Sequence, residues 1–407
     1  MKPSALVCKG CGASYPLDAS FACMRCFGPL EVAYDDIQAP VSRERVEAGP
    51  RTLWRYADFL PVAPPGRGLP VGLSPLIRAD RLAEELDLGC RLFVKTETSN
   101  PTHSFKDRVV AVAAAKALEL GFEALACAST GNLAGATAAA GAALGLPAYI
   151  FVPADLEREK ILAAAAYGAK LFAVDGSYDD VNRLCSELAY ERPWAFVNVN
   201  MRAYYSEGSK TIALETAEQL GWRAPDRVVA PIASGSLYTK ILQGFEQGRA
   251  AGLVEPGSAP VMHGAQGAGC APVATAFASG SDDVLPVRPT GIAKSLAIGN
   301  PADGVFALEV ARRTGGSIEA VPDDEIVEGI RLLAAATGIF TETAGGVTIA
   351  VLRRLAERGE IGDDETVVAY VTGDGLKTID AVAQSVSTIP VPADVDAVDE
   401  ALNAVSV

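Results

Sequence analysis

Chemistry is most concentrated in the run Asn100-Pro101-Thr102-His103-Ser104-Phe105-Lys106-Asp107-Arg108, which joins an apolar stretch to an alanine-rich one. Ser104, with Asp107 three residues on, has the spacing of a helix N-cap and its partner. That places Lys106 in the first helical turn, where the positive end of the macrodipole disfavours an ammonium and lowers its pKa. A lysine poised to be neutral can form a Schiff base with an aldehyde; the plain alternative is a solvated lysine near a helix start. A second loop, Ala128-Ser129-Thr130-Gly131-Asn132, sets small hydroxyl and amide side chains around backbone N–H groups and could hold a carboxylate or the polar edge of a ring. A third, Ala233-Ser234-Gly235-Ser236-Leu237, opens a helix after a strand and suits a phosphate held by backbone donors without a lysine. A fourth, Thr372-Gly373-Asp374-Gly375-Leu376-Lys377, ends the last apolar run. Each loop taken alone also fits an ordinary strand-to-helix turn.

The eight cysteines fall into two groups. Cys90, Cys127, Cys185 and Cys270 are isolated, as small buried apolar residues are. Cys8, Cys11, Cys23 and Cys26 form CxxC, eleven residues, then CxxC, with Gly12 and Gly28 following the two pairs. Four soft sulfur ligands in two knuckles favour tetrahedral zinc, in a closed site with no open position for catalysis. Two disulfides or plain core cysteines are the alternatives. A metal would staple a module of about 35 residues that is too small to fold on its own core.

Several function classes drop out. With only two histidines, His103 and His263, a histidine-rich metal site is excluded, and a Ser-His-Asp triad would have to use one of them. No lysine follows a glycine, so the phosphate-binding GxxxxGK loop is absent. Gly264-Ala265-Gln266-Gly267-Ala268-Gly269 has the wrong glycine order for a dinucleotide fingerprint. A net charge of −15 with scattered Lys and Arg argues against nucleic acid or an anionic membrane surface as the partner. Met1 to Leu6 has neither signal-peptide nor transit character, and the expected compartment is the cytoplasm. The uncharged stretch from Ala124 to Ala154 is alanine-rich and broken by glycines and Pro147, which suits a strand, loop, helix and strand better than a membrane span.

These loops need a scaffold. Hydrophobic residues make up 49% of the 407-residue chain and charged residues 21%, enough for large cores and two or three domains. Expected strands are Arg91–Thr96, Ala124–Ala128, Ala148–Val152, Lys170–Val174, Phe196–Asn198, Arg227–Ile232, Val261–Ala265 and Thr366–Val371. Expected helices include Phe105–Leu120, Leu133–Leu144, Arg158–Tyr167, Ser177–Tyr190, Gly208–Leu220 and Val347–Arg358. Several strands are continuously apolar, as parallel strands buried on both faces are, so the class is α/β with more than one parallel sheet. Ligands in such folds bind beyond the carboxyl ends of the strands, where all four loops lie. The Pro- and Gly-rich text from Ala39 to Pro75 reads as a connector over the surface, with a short helical piece near Trp54 to Leu60.

Together the loops resemble the pyridoxal-phosphate enzymes of fold type II, the tryptophan synthase β-subunit group, and within it the threonine synthase family. The resemblance covers nearly the whole chain, adding Ala297-Ile298-Gly299-Asn300-Pro301 and Glu342-Thr343-Ala344-Gly345-Gly346 to the loops above. The cysteine module is similar to the zinc-ribbon-like extension of one subgroup. The resemblance implies two open, mostly parallel α/β domains, a large cofactor domain from 36–110 and 205–407 and a small one from 111–204, behind the module at 1–35. It implies pyridoxal 5'-phosphate held covalently by Lys106, which also moves protons. Asn132 would meet the ring's phenolic oxygen, Ala233, Ser234, Gly235, Ser236 and Leu237 the cofactor phosphate, and Thr372 the pyridine nitrogen. Structural zinc would sit on Cys8, Cys11, Cys23 and Cys26.

The family reaction takes O-phospho-L-homoserine and water to L-threonine and phosphate, by γ-elimination and β-addition. Ser129, Thr130 and Gly131 would take the substrate carboxylate. Arg202, Ser206, Lys210 and Lys294 are candidates for the substrate phosphate. Relatives of this fold are commonly homodimers. The sequence departs from the family pattern at His103, where glycine is common, at Leu133, where threonine is common, and in the phosphate loop. An O-phosphoserine-dependent cysteate or cysteine synthase shares the cofactor parts, a dehydratase lacks the Ile-Gly-Asn-Pro match, and a zinc-ribbon interaction protein with an inert body is the reading from another class.

Overall fold

A computed structural model describes residues 1–35, 41–129, 131–154, 158–176, 178–383 and 388–405. The N-terminal module is a small antiparallel sheet, in which β1 (Pro3–Cys8) lies between β2 (Ser14–Tyr15) and β3 (Leu30–Tyr34). Next come β4 (Leu76–Arg78) and β5 (Arg91–Thr96), then β6 (Ala124–Ala128), β7 (Ala148–Pro153), β8 (Lys170–Val174) and β9 (Trp194–Phe196). The chain returns through β10 (Arg227–Pro231), β11 (Val261–Gly267), β12 (Ile318–Val321) and β13 (Thr366–Val371). The small sheet has the order β8-β7-β6-β9, all parallel. The large sheet runs β12-β11-β10-β13-β5-β4, parallel except for β4. Among the described residues no helix is long and apolar enough to cross a membrane.

Register explains why the loops converge. Strands β5 and β13 pair from Arg91 with Thr366 to Thr96 with Val371, so both end at the same height. Strand β10 pairs with β13 through Val229 and Ala369, which brings its own exit loop to the same edge. Every residue of β13 is buried, as a central strand covered on both faces must be. Edge strand β8 is half-exposed, for lack of a second neighbour.

Four expectations shift. The connector is less superficial than its composition suggests: a 3₁₀ turn at Leu53–Phe59 buries Leu53, Tyr56 and Phe59 completely. The strand expected at Phe196–Asn198 is Trp194–Phe196, and the expected helix at Gly208–Leu220 begins already at Arg202. The helix expected from Val347 starts at Thr343, with Gly345 and Gly346 inside it. Those glycines serve packing: a Cβ on Gly346 would lie 2.5 Å from the carbonyl oxygen of Ile326, on the neighbouring helix Asp323–Thr337.

One buried polar cluster joins four elements. Arg108 donates to Glu97 (Nε to Oε2, 2.6 Å; Nη2 to Oε1, 3.0 Å) and to both oxygens of Glu215 at 2.9 Å. Lys95 donates to Glu215 at 2.5 Å, to the Ser74 carbonyl at 2.6 Å and to Gln219 at 2.9 Å. All four charged side chains are fully buried, and their charges cancel. Burial pushes Glu215 upward, but Arg108 and Lys95 outweigh it and hold the carboxyl at about 2. At the same place a Cβ on Gly208 would sit 2.5 Å from the Arg108 carbonyl oxygen, so helices Lys106–Glu119 and Arg202–Gln219 cross at a glycine. Removing one partner of such a cluster strands buried charge. Arg108→Ala should cost about 3–5 kcal/mol in urea unfolding, and Arg108→Lys should recover only part of it, since an ammonium cannot bridge two carboxylates bidentately. A loss under about 1 kcal/mol for the alanine variant would contradict this role.

Candidate active site and cysteine centre

Lys106 lies in the first helical turn, as expected, but it opens the helix Lys106–Glu119, one residue later than the expected start at Phe105, and the cap differs from the sequence reading. Asp107 turns back to the Thr102 backbone N–H and hydroxyl, both at 2.7 Å, and burial pushes its carboxyl up to about 6. Ser104 does not cap; its buried Oγ has no hydrogen-bond partner among the described residues. The Thr102 hydroxyl and N–H outcompete the capping arrangement because the loop folds back on itself before the helix starts.

Backbone hydrogen bonds join three loops. Phe105 N–H donates to Thr372 O at 2.8 Å and Asp374 N–H to His103 O at 3.1 Å. Glu342 N–H donates to Gly373 O at 3.1 Å, and the Thr341 hydroxyl to the same oxygen at 3.0 Å. Lys106 therefore lies beside the Thr372 and Glu342 segments. His103 takes a left-handed φ of 59°, the conformation that favours glycine, and its exposed ring meets the Thr98 carbonyl at 3.0 Å. Leu133 is buried in the core of the small sheet.

Within this frame the Lys106 ammonium donates to the Tyr205 hydroxyl at 3.1 Å. Asn132 donates through Nδ2 to Glu342, 3.2 Å from Oε1 and 2.9 Å from Oε2. Burial raises the Glu342 carboxyl, against the Asn132 hydrogen bond and the cations Lys377 and Lys106. Burial lowers Lys377, partly countered by Glu342 and Asp107. Tyr205, Glu342 and Lys377 were missed as site residues by sequence reasoning. Glu342 and Lys377 lie in motifs it had singled out; nothing local marks Tyr205.

The Ser129 Oγ accepts from the N–H groups of Gly131 (3.3 Å) and Ala134 (3.2 Å), so it caps the helix that Asn132 begins. Thr130 lies outside the described residues. Gly235 has φ 92° and Ser236 opens the helix Ser236–Ala250, its buried Oγ without a partner among the described residues. A Cβ on Gly235 would lie 2.6 Å from the Asp303 carbonyl oxygen, and Asp303 N–H donates to Ser234 O at 2.9 Å. Arg202 binds Asp303 at 2.5 Å. Two other candidates for the substrate phosphate are already engaged: Lys210 is fully buried on Glu207 at 2.5 Å, and the Ser206 hydroxyl donates to Ala203 O at 2.8 Å. Lys294 is exposed on a short 3₁₀ turn.

The Sγ atoms of Cys8, Cys11, Cys23 and Cys26 all lie within 4.8 Å of one another, with Cys8–Cys26 at 3.4 Å and Cys11–Cys23 at 3.5 Å. A tetrahedral ion with Zn–S bonds of about 2.3 Å spaces its sulfurs by roughly 3.8 Å, so the cluster suits zinc. No disulfide joins them, and Cys90, Cys127, Cys185 and Cys270 are buried and free. Gly12 takes the left-handed turn after the first pair, while after the second Phe27 takes it and Gly28 gives room: its Cβ would lie 3.1 Å from Cys8 Sγ. A Tyr15 hydrogen bond lowers the Cys23 thiol to about 6. Cys26 has a Gly28 N–H favouring its thiolate, yet its bonds to Cys8 and Cys11 push it up to about 12. The four sulfurs need a cation before all can ionise.

Residues 68–373 match the family of pyridoxal-phosphate dependent enzymes. The chain is 38% identical to the threonine synthase of Methanosarcina acetivorans, over 98% of each chain. The chain belongs to the pyridoxal-phosphate dependent enzymes. It is also 38% identical to the threonine synthase of Methanocaldococcus jannaschii, over 93% of this chain and 94% of that one. Among solved structures it shares its fold with maize serine racemase (TM-score 0.63, 20% identity, covering 77% of this chain and 91% of that one). Threonine deaminase isoform 2 of Solanum lycopersicum has the same fold (TM-score 0.63, 22% identity, 77% and 88% covered).

The site fits the family's cofactor: an amine able to form a Schiff base would be the reacting group, and a helix N-terminus behind a left-handed glycine, with a Ser236 Oγ that has no partner among the described residues, would cradle a phosphate. The metal centre has its own test. Cys8→Ser with Cys11→Ser should remove the bound zinc and lower the thermal midpoint by several degrees. Unchanged metal content in the double variant would refute the four-cysteine assignment.

Proposed function

We infer that this chain is a threonine synthase, a lyase that converts O-phospho-L-homoserine and water to L-threonine and inorganic phosphate. The observation that carries this is the 38% identity over 98% of both chains to a threonine synthase, with Lys106, Asn132 and Thr372 set at one edge of the sheets. Bound at Lys106, pyridoxal phosphate supplies an electron sink for negative charge developing beside the substrate amine.

The residues divide the remaining work. Lys106, on a flexible stem at the head of its helix, binds the cofactor and, once released, carries protons between neighbouring substrate carbons. The Tyr205 hydroxyl, 3.1 Å from the amine, orients it. Asn132, whose Nδ2 donates to Glu342, would hydrogen-bond the ring's phenolic oxygen. Thr372 offers the pyridine nitrogen a neutral hydroxyl, which enforces its protonation less than a carboxylate would. Ala233, Ser234, Gly235, Ser236 and Leu237 hold the cofactor phosphate. Ser129, Thr130 and Gly131 receive the substrate carboxylate, and Arg202 the substrate phosphate.

This reading includes a cytoplasmic homodimer. The large cofactor domain comprises 36–110 and 205–407 and the small domain 111–204. Lys106→Ala should lower kcat/KM by at least about a thousandfold, with far-UV circular dichroism unchanged. Full turnover by this variant would overturn the assignment of Lys106.

A further inference from the structure

The first cysteine knuckle reaches into the body through a charged trio. Lys9, between Cys8 and Cys11, donates to Oδ1 of Asp303 at 2.9 Å, and Arg202 donates to Oδ2 at 2.5 Å. The Lys9 ammonium also lies 4.0 Å from the centroid of the Phe306 ring. The three side chains are 12%, 6% and 18% exposed, so the contacts are shielded from water. One carboxylate between two cations leaves a net charge of +1, and Arg202 has more donors than Asp303 can take.

The trio's position matters more than its strength. Asp303 is hydrogen-bonded through its backbone to Ser234 and touches Gly235 of the phosphate loop. Arg202 lies one helical turn before Tyr205, whose hydroxyl meets Lys106, and residues three apart share a helix face. The trio therefore bridges the phosphate cradle and the helix that touches the reacting amine. Further contacts fix the module to the same region. The Tyr34 hydroxyl donates to Glu207 at 2.5 Å, Lys240 pairs with Glu31 at 3.4 Å, and Tyr204 donates to the Asp18 carbonyl at 3.1 Å.

We propose that the cysteine module is part of the substrate-phosphate site, with Lys9 a positioning residue that offsets Asp303 so that Arg202 can receive a phosphate monoester. The metal acts at a distance, because it fixes the knuckle from which Lys9 projects. Without Lys9, Asp303 and Arg202 form a neutral pair, so no excess positive charge is left for the incoming dianion and Arg202 must give up Asp303 to bind it. This deepens the reading of Arg202 given above and rests on it.

The test uses the full chain loaded with zinc and pyridoxal phosphate. Lys9→Gln should raise KM for O-phospho-L-homoserine roughly tenfold, with kcat within about twofold, and weaken inhibition by inorganic phosphate by a similar factor. Lys9→Arg should stay near wild type. Adding Asp303→Asn to Lys9→Gln should restore KM, because the site's net charge returns to +1. A purely structural role for Lys9 predicts no such rescue. Unchanged KM and phosphate inhibition in Lys9→Gln with zinc retained, or no rescue in the double variant, would overturn the proposal. If the wild-type protein does not turn over O-phospho-L-homoserine, the function is wrong but the site is still testable. Calorimetry with inorganic phosphate should then give the same order of affinities, and equal affinity in wild type and Lys9→Gln would overturn the site.

Discussion

Arg108 divides its guanidinium between Glu97 and Glu215 where no water reaches, and most of the catalytic geometry follows from that arrangement. Glu97 begins the loop that ends at Lys106, and Glu215 lies on the helix that carries Arg202 and Tyr205. Lys95 adds strand β5 to the same cluster. A charge-neutral group of this kind contributes little net stability against a hydrophobic replacement. Its effect is positional: planar, bidentate bonds from one guanidinium tie the start of the Lys106 helix and the loop from Glu97 to the later part of the Arg202 helix. Gly208 lets those helices approach at the Arg108 backbone, so the position of the Lys106 amine is set by packing and charge together.

Around that amine the polar groups are unevenly satisfied. Among the described residues Ser104, Ser236 and Thr343 each have a buried hydroxyl oxygen without a partner, and all three lie in loops or helix starts of the site. Thr137, Asn198, Gln247 and Arg353 hold such orphans elsewhere, so these three gain meaning from their place in the site's own loops, where a ligand can satisfy them. Glu342 and Lys377 are each pushed toward their neutral forms by burial, each held back by the other's charge. A ring with a phenolic oxygen, a phosphate and a nitrogen can engage such a mixture of donors, acceptors and titratable groups.

The sequence made local features legible and tertiary ones obscure. Strands β5, β6, β8 and β13 fall where continuous apolar runs predict them, residue for residue. The lysine loop, the cysteine pairs and the helix starting at Ser236 were legible because turn chemistry and ligand spacing are written in adjacent residues. The capping role of Ser104 was misread because Thr102 lies closer to Asp107 in the folded loop. Lys210 resembled a phosphate ligand until burial and the Glu207 carboxylate showed it to be structural. Tyr205 and Lys9 could not be found from spacing, since each acts on a group about a hundred or more residues away. His103 shows a further limit: the histidine itself carries no sign of its left-handed backbone, which only the glycine common at that place in the family pattern hints at.

A four-cysteine module suited to zinc and two α/β sheets hold Lys106, the helix start at Ser236 and Arg202 in fixed relation. The central claim is the reaction. The most direct test is to give the zinc- and pyridoxal-phosphate-loaded protein O-phospho-L-homoserine and quantify phosphate and threonine in the same tube, with O-phospho-L-serine as the control substrate. The account predicts equimolar phosphate and threonine from the first and negligible phosphate from the second. Phosphate released from O-phospho-L-serine alone, or phosphate without threonine, would contradict it.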